Sequence, residues 1–148
     1  MKIQYFIYLG GIFHLIWALF DSSWPWLFNW KKALSSLDDF HRVLLPILSQ
    51  LLVVVYLGFA YISFFHTTEL ITTGLGNTLL LFVSIYWMIR AAMQIHYMGF
   101  NKVNEFNISF SSFVRISAYK LSNKVISYYF FYVFIIGAAL YSIPVVFR

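Results

Sequence analysis

Cysteine is absent from this chain of 148 residues, and charged residues make up only 10% of it. The absence of cysteine excludes disulfides, thiolate metal sites, CxxC redox centres and a cysteine nucleophile. A soluble domain carries about 25% charged residues, so this chain has too few of them to cover a surface that faces water. The sequence also contains no HExxH, GxSxG or glycine-rich phosphate loop. We therefore predict no catalytic residues, and the sequence favours a non-enzymatic protein.

Hydrophobic residues, in contrast, make up 61% of the chain, and they are concentrated in four long runs at about 3–20, 43–65, 76–100 and 125–147. Each run approaches or exceeds the roughly 20 residues that a helix needs to cross a bilayer, and none alternates as a barrel strand does. We predict an all-α fold, a four-helix transmembrane bundle that forms one domain over residues 1–148. No A-x-A-like cleavage site follows the first run, so we interpret it as a membrane span and not as a signal peptide.

The basic residues predict how the spans are oriented. The first and third loops between the runs carry seven Lys and Arg residues, whereas the second loop, "HTTELITTG", carries none. By the positive-inside rule, the first and third loops face the cytoplasm and both termini face outward. The expected location is the bacterial cytoplasmic membrane. This topology also accounts for the net charge of +5, so nucleic acid is not an expected partner.

The first loop has an amphipathic character of its own. Residues 24–37 combine Trp24, Trp26 and Trp30 with two lysines. Tryptophan rings favour the headgroup level of a membrane, and lysines favour the adjacent water. We expect this stretch to form a short helix that lies on the membrane surface.

Arg90 is the one formal charge within the four hydrophobic runs. An arginine at the centre of a bilayer costs about 2.5–3.5 kcal/mol on insertion scales, and such residues usually face the bundle interior and find a partner. Asp21, at the inner end of the first span, is the best candidate partner. We predict a polar pocket in the cytoplasmic half of the bundle, formed by His14, Asp21, Gln50, Arg90 and Gln94. The pocket would bind or move a lipid, a small amphiphile or an ion. A purely structural role for Arg90, in which it joins helices or extends to the headgroups, is the alternative.

Other functions remain open from the sequence. His14 and His96 lie on different spans in the inner half, as a b-type haem for electron transfer would require, so haem is an alternative cofactor. Asp38 and His41 are three residues apart and could share a metal ion, but a helix cap explains them better, and we predict no metal site. A lipid-modifying membrane enzyme is a second alternative. The small residues of "GAALYS" at 137–142 are typical of close helix packing, within the bundle or in a homodimer. Besides the lipid bilayer, the expected partners are further copies in a homo-oligomer or a larger membrane complex that the polar pocket supports.

Three segments within residues 10–100 carry a resemblance to known proteins. They are "FHLIWALF", "FNWKKALSSLDDFHR" and "FAYISFFHTTELITTGLGNTLLLFVSIYWMIRAAMQI". Together they resemble a set of small uncharacterised bacterial four-helix integral membrane proteins. The resemblance implies a four-span fold. It implies no activity and transfers no functional residues.

Overall fold

The computed structural model describes residues 3–98 and 123–147. Within these residues the chain forms six α-helices and no β-strand. They are α1 (Gln4–Leu27), α2 (Trp30–Ala33), α3 (Asp39–Phe65), α4 (Thr67–Thr72), α5 (Gly74–Met98) and α6 (Asn123–Val146). Four of them, α1, α3, α5 and α6, are long and apolar enough to cross a membrane. The predicted all-α class with four spans is confirmed, and the architecture is that of a multi-pass integral membrane protein.

The helices extend further than the hydrophobic runs that predict them. Helix α1 continues past residue 20 through Pro25, and the chain leaves it at Asn29, whose φ of 43° is a left-handed conformation that asparagine tolerates. The predicted surface helix at 24–37 is therefore divided, since its first residues belong to α1 and the rest form α2 and a 3-10 turn. Helix α4 occupies the second loop. The predicted end of the third span at 99–100 and the third loop up to residue 122 lie outside the described residues, and the last two residues of that loop, Asn123 and Lys124, belong to α6.

Helix α3 begins at Asp39 rather than at residue 43 because polar side chains cap its first turn. The Asp38 carboxylate accepts hydrogen bonds from the backbone N–H of His41, at 3.3 Å, and from Nδ1 of its ring, at 2.5 Å. The side-chain bond is the main cause that lowers the pKa of Asp38 below its ordinary value. Arg42 donates to the carbonyl oxygens of Leu34, Ser35 and Leu37 and so connects α3 to the preceding loop.

The four long helices form an up-and-down bundle in which α1 is the most buried. Helix α1 packs on α3 and on α6, and α5 packs on α6. Helices α3 and α5 meet through large side chains: Tyr56 stacks on Trp87, and the rings of Phe59 and Tyr86 are 6.2 Å apart. Helix α2 lies at one end of the bundle and α4 at the other, and we call these the α2 end and the α4 end.

Small residues allow the close approach between α1 and α6. A Cβ atom added to Gly10 would lie 2.6 Å from Cζ of Tyr141, and one added to Gly137 would lie 2.7 Å from Cε1 of Phe13. Ala138 is also buried, and its carbonyl oxygen accepts a hydrogen bond from Ser84. The small residues at 137–138 therefore serve packing within the bundle, which is one of the two uses that the sequence left open.

Candidate functional site

His14 lies at the centre of the bundle and joins side chains from three other helices. Its ring Nε2 accepts a hydrogen bond from the Trp87 indole at 3.1 Å. Its Nδ1 lies 3.0 Å from the carbonyl oxygen of Gly10 and 2.8 Å from the Tyr141 hydroxyl, which is itself 2.8 Å from Ser63 Oγ. Because an indole N–H can only donate, Nε2 must be the unprotonated nitrogen, and His14 is a neutral imidazole with its proton on Nδ1.

Aromatic rings enclose this hydrogen-bonded group. The centre of the Trp87 ring lies 5.0 Å from that of Phe13 and 5.7 Å from that of Tyr56, and the His14 ring lies 5.1 Å from that of Phe59. Trp87, Tyr56 and His14 are completely buried. A cavity beside Ser63 and Tyr141 has a volume of about 20 Å³. That volume can hold one water molecule but no amphiphile. His14 and its partners form a buried polar core.

A second polar group lies nearer the α2 end and contains two opposite charges. Asp21 is only 4% exposed, and Arg90 is half-buried. Of the Asp, Glu, Lys and Arg side chains whose exposure the structure describes, these two are the only ones that are not exposed. They are close enough to interact electrostatically, and both act on Tyr56, whose hydroxyl is 3.2 Å from that of Tyr86. We call Asp21, Tyr56, Tyr86 and Arg90 the charged cluster.

Asp21 and Arg90 interact through space and not in direct contact. Among the described residues, no ion pair within 4.0 Å joins them. The Arg90 guanidinium instead lies over the ring of Phe134, with Cζ 5.2 Å from the ring centre. Its Nε is buried and has no hydrogen-bond partner in the described part of the chain, and the same holds for Nε1 of Trp24. A buried donor without an acceptor costs about 1–3 kcal/mol, so each of these two donors needs an explanation.

The predicted polar pocket is divided by the structure. Asp21 and Arg90 come together in the charged cluster, whereas His14, two turns away on α1, belongs to the hydrogen-bonded core. Gln94 is half-buried one turn beyond Arg90. Gln50 is exposed on α3, and no hydrogen bond in the described residues connects it to the charged cluster. Its side chain faces the surroundings, as do most side chains in the first half of α3, where no residue before Tyr56 is fully buried.

The two histidines of the haem hypothesis are not brought together. Both ring nitrogens of His14 are engaged inside the core, with Trp87 on one side and Gly10 and Tyr141 on the other. His96 is exposed and contacts the ring of Tyr97. An axial ligand needs a free imidazole nitrogen, so this arrangement does not favour haem.

Asp38 and His41 bind each other at the start of α3. In the ranges 3–98 and 123–147, no group of three or more His, Cys, Asp or Glu side chains could hold a metal ion. The pair serves as a helix cap, as its spacing in the sequence favours.

Several residues of both polar groups could not be identified from the sequence. Tyr56, Ser63, Tyr86 and Tyr141 sit among other hydroxyl-bearing and aromatic residues of apolar runs, and their spacing does not distinguish them. Their roles depend on contacts between helices, which same-helix periodicity does not report. The sequence predicts Trp24 at the membrane surface, although its three-residue spacing from Asp21 is the signal that places the two on the same side of α1.

Comparison of the chain with protein-family models, with curated proteins and with solved structures finds no match.

Proposed function

We propose that this protein is a non-enzymatic, multi-pass membrane protein that binds one lipid or small amphiphile at the charged cluster. The observation that carries the proposal is the pair of non-exposed charges, Asp21 and Arg90, which interact without direct contact. Ionisable residues inside a membrane bundle are expensive, and their usual role is functional. A pair kept only to hold helices together would gain most from a direct ion pair, which these residues do not form.

The polar head group of the ligand would lie beside Arg90. Arg90 Nε and Trp24 Nε1 are buried donors on different helices, and a head-group oxygen could accept from them. The apolar tail would lie along the exposed hydrophobic surface of the helices. The cavity beside Ser63 and Tyr141 is too small for a tail, which favours a ligand held at the periphery of the bundle.

Binding should depend on Arg90 and not on other polar residues of the same end. In native mass spectrometry with phosphatidylglycerol, phosphatidylethanolamine and phosphatidylcholine, we expect the wild-type protein to retain one molecule of at least one lipid. The variant Arg90→Met should bind that lipid at least about tenfold more weakly, because a hydrogen bond to a charged group contributes about 1.5–3 kcal/mol.

Two matched variants control this experiment. Lys32→Met removes an exposed cation from the same end, and Gln50→Leu removes an exposed polar side chain from α3. Both should bind as the wild type does. Equal binding by Arg90→Met and the wild type, or a loss of binding that the two controls share, would overturn the proposal.

We also propose that the α2 end faces the cytoplasm of a bacterial cell. The support is the charge of the loops at that end: residues 101–124 carry four basic side chains and one acidic side chain, and Lys31, Lys32 and Arg42 belong to the first loop. The α4 end carries Glu69 and no Lys or Arg between residues 66 and 74.

The lack of cysteine makes this orientation simple to test, because one introduced cysteine is the only thiol of the chain. Lys32 and Thr68 are exposed at opposite ends. In intact bacterial cells, a membrane-impermeant maleimide should label Thr68→Cys, and it should label Lys32→Cys only after the membrane is permeabilised. The reverse pattern would contradict the proposed orientation.

A further inference from the structure

We propose that the head group bound at the charged cluster is an anion, and that it replaces Asp21 as the counter-charge of Arg90, so that binding takes up one proton at the Asp21 carboxylate. This inference rests on the proposed function, because it specifies the ligand of the same site. It goes further by assigning the chemical class of the ligand, a phosphate or carboxylate head group, and by coupling its binding to pH.

The donors of the site favour an anion. Arg90 Nε and Trp24 Nε1 both carry hydrogen and no lone pair, so each can only donate. Trp24 follows Asp21 by three residues and therefore lies on the same side of α1, next to the carboxylate that interacts with Arg90. Each donor lacks an acceptor that the oxygens of an anionic head group can supply. A cationic head group would leave them without an acceptor and would lie beside the guanidinium.

The charge balance of the site then requires a proton. Without ligand, the guanidinium of Arg90 and the carboxylate of Asp21 compensate each other. With an anion on Arg90, two negative charges would share one positive charge in a buried site, where an uncompensated charge is costly. Asp21 is the group that can relieve this excess, since its carboxylate takes a proton from water and becomes a neutral acid.

Among the side chains that the structure describes, the other titratable groups that face Asp21 cannot take this role. Helix α5 contributes Arg90 and Tyr86, α3 contributes Tyr56, and His14 lies two turns away on α1 itself. Residues 128–147 of α6 contain tyrosine as their only titratable side chain. Tyrosines are already protonated at neutral pH, and Nε2 of His14 is occupied by the Trp87 N–H. Asp21 is therefore the proton acceptor.

The experiment measures affinity and proton uptake together by titration calorimetry of the purified full-length protein. The probes are dihexanoylphosphatidylglycerol and dihexanoylphosphatidylcholine, which differ in net charge, and inorganic phosphate, which separates a lipid head group from the free anion. Titrations in two buffers with different ionisation enthalpies give the number of protons taken up. For the wild type we expect an uptake approaching one proton for the acidic lipid and an affinity that falls by up to about tenfold per unit rise in pH.

Variants separate proton uptake at Asp21 from the binding of the ligand at Arg90. Asp21→Asn keeps the size of the side chain but cannot ionise, so it should bind the acidic lipid without proton uptake and without pH dependence. At pH 8 it should bind about tenfold more tightly than the wild type, within the usual range of a coupling free energy. Asp21→Ser provides the same test if the asparagine variant is poorly folded. Trp24→Phe keeps the ring but not the N–H and should weaken binding severalfold.

The outcomes distinguish the two proposals. If phosphatidylcholine binds at Arg90 as tightly as phosphatidylglycerol, or if proton uptake is unchanged in Asp21→Asn, the further inference fails while the proposed function stands. The further inference also fails, and the proposed function stands, if the wild type binds the acidic lipid without proton uptake. Tighter binding of inorganic phosphate than of the lipid assigns the site to the free anion and overturns the amphiphile. If no probe binds to the wild type, both proposals fail.

Discussion

Replacement of Trp87 by alanine is expected to lower the free energy of unfolding by about 3–5 kcal/mol, as large-to-small changes of buried aromatic residues do. Trp87 is completely buried, stacks on Tyr56 and packs against Phe13 and Phe134. The change opens a cavity at the point where α5 meets α1 and α3, and it also removes the N–H that His14 accepts. Trp87 therefore connects α5 to the three other long helices.

Reversible unfolding in mixed micelles, with a denaturing detergent and far-ultraviolet circular dichroism, measures this loss. Trp26 provides the matched control, because it is 73% exposed and its replacement by alanine should change stability little. Trp87→Phe retains a ring but no donor and should fall between the wild type and Trp87→Ala. Equal destabilisation by Trp26→Ala and Trp87→Ala would contradict the central role of Trp87.

The double variant Asp21→Asn, Arg90→Met is expected to be more stable than the wild type by about 1–4 kcal/mol, while losing the proposed ligand. Replacing a buried pair of charges by neutral side chains of similar size often stabilises a protein, because the desolvation penalty exceeds the attraction. Here the attraction is weak, since no contact within 4.0 Å joins the pair. Natural proteins often have lower stability at a functional site than they would have without the function. A double variant that gains stability and loses ligand binding would show that Asp21 and Arg90 are such a case.

The single variants give this experiment its contrast. Arg90→Met alone leaves the Asp21 carboxylate without its counter-charge and should be less stable than the double variant, as measured by the same unfolding assay. A double variant that is less stable than the wild type would instead support the structural alternative, in which Arg90 serves to hold the helices together.

The sequence predicts the spans well because their signal is long and local. Each apolar run has the length that a bilayer requires, and α3, α5 and α6 lie close to the predicted limits. The end of α1 is less accurate, because Ser22, Ser23 and Pro25 interrupt the apolar run without ending the helix. The serine hydroxyls bond back to carbonyl oxygens of the same helix, so they do not compete with it. Hydropathy detects the membrane core of a helix but not the turns beyond it.

The candidate site is predictable only as far as single helices determine it. Asp21 and Arg90 stand out as costly charges, and the structure places them close enough to interact. The position of Gln50 along α3 predicts its depth in the membrane, but depth does not specify which face of α3 turns toward the bundle. The partners of His14 come from α5 and α6, and no spacing within one helix indicates them. The resemblance to four-span proteins stays a prediction.

The order of the helices has a consequence for how the site is assembled. Both of the most closely packed pairs, α1 with α3 and α5 with α6, are successive spans, so the molecule consists of two helical hairpins. In both polar groups, every polar contact described between two side chains crosses from one hairpin to the other: His14 to Trp87 and Tyr141, Ser63 to Tyr141, Tyr56 to Tyr86, and Asp21 to Arg90. Each hairpin alone carries one unmatched charge. The hairpins can insert one after the other during synthesis, and charge neutrality at the site is reached only when the second docks on the first.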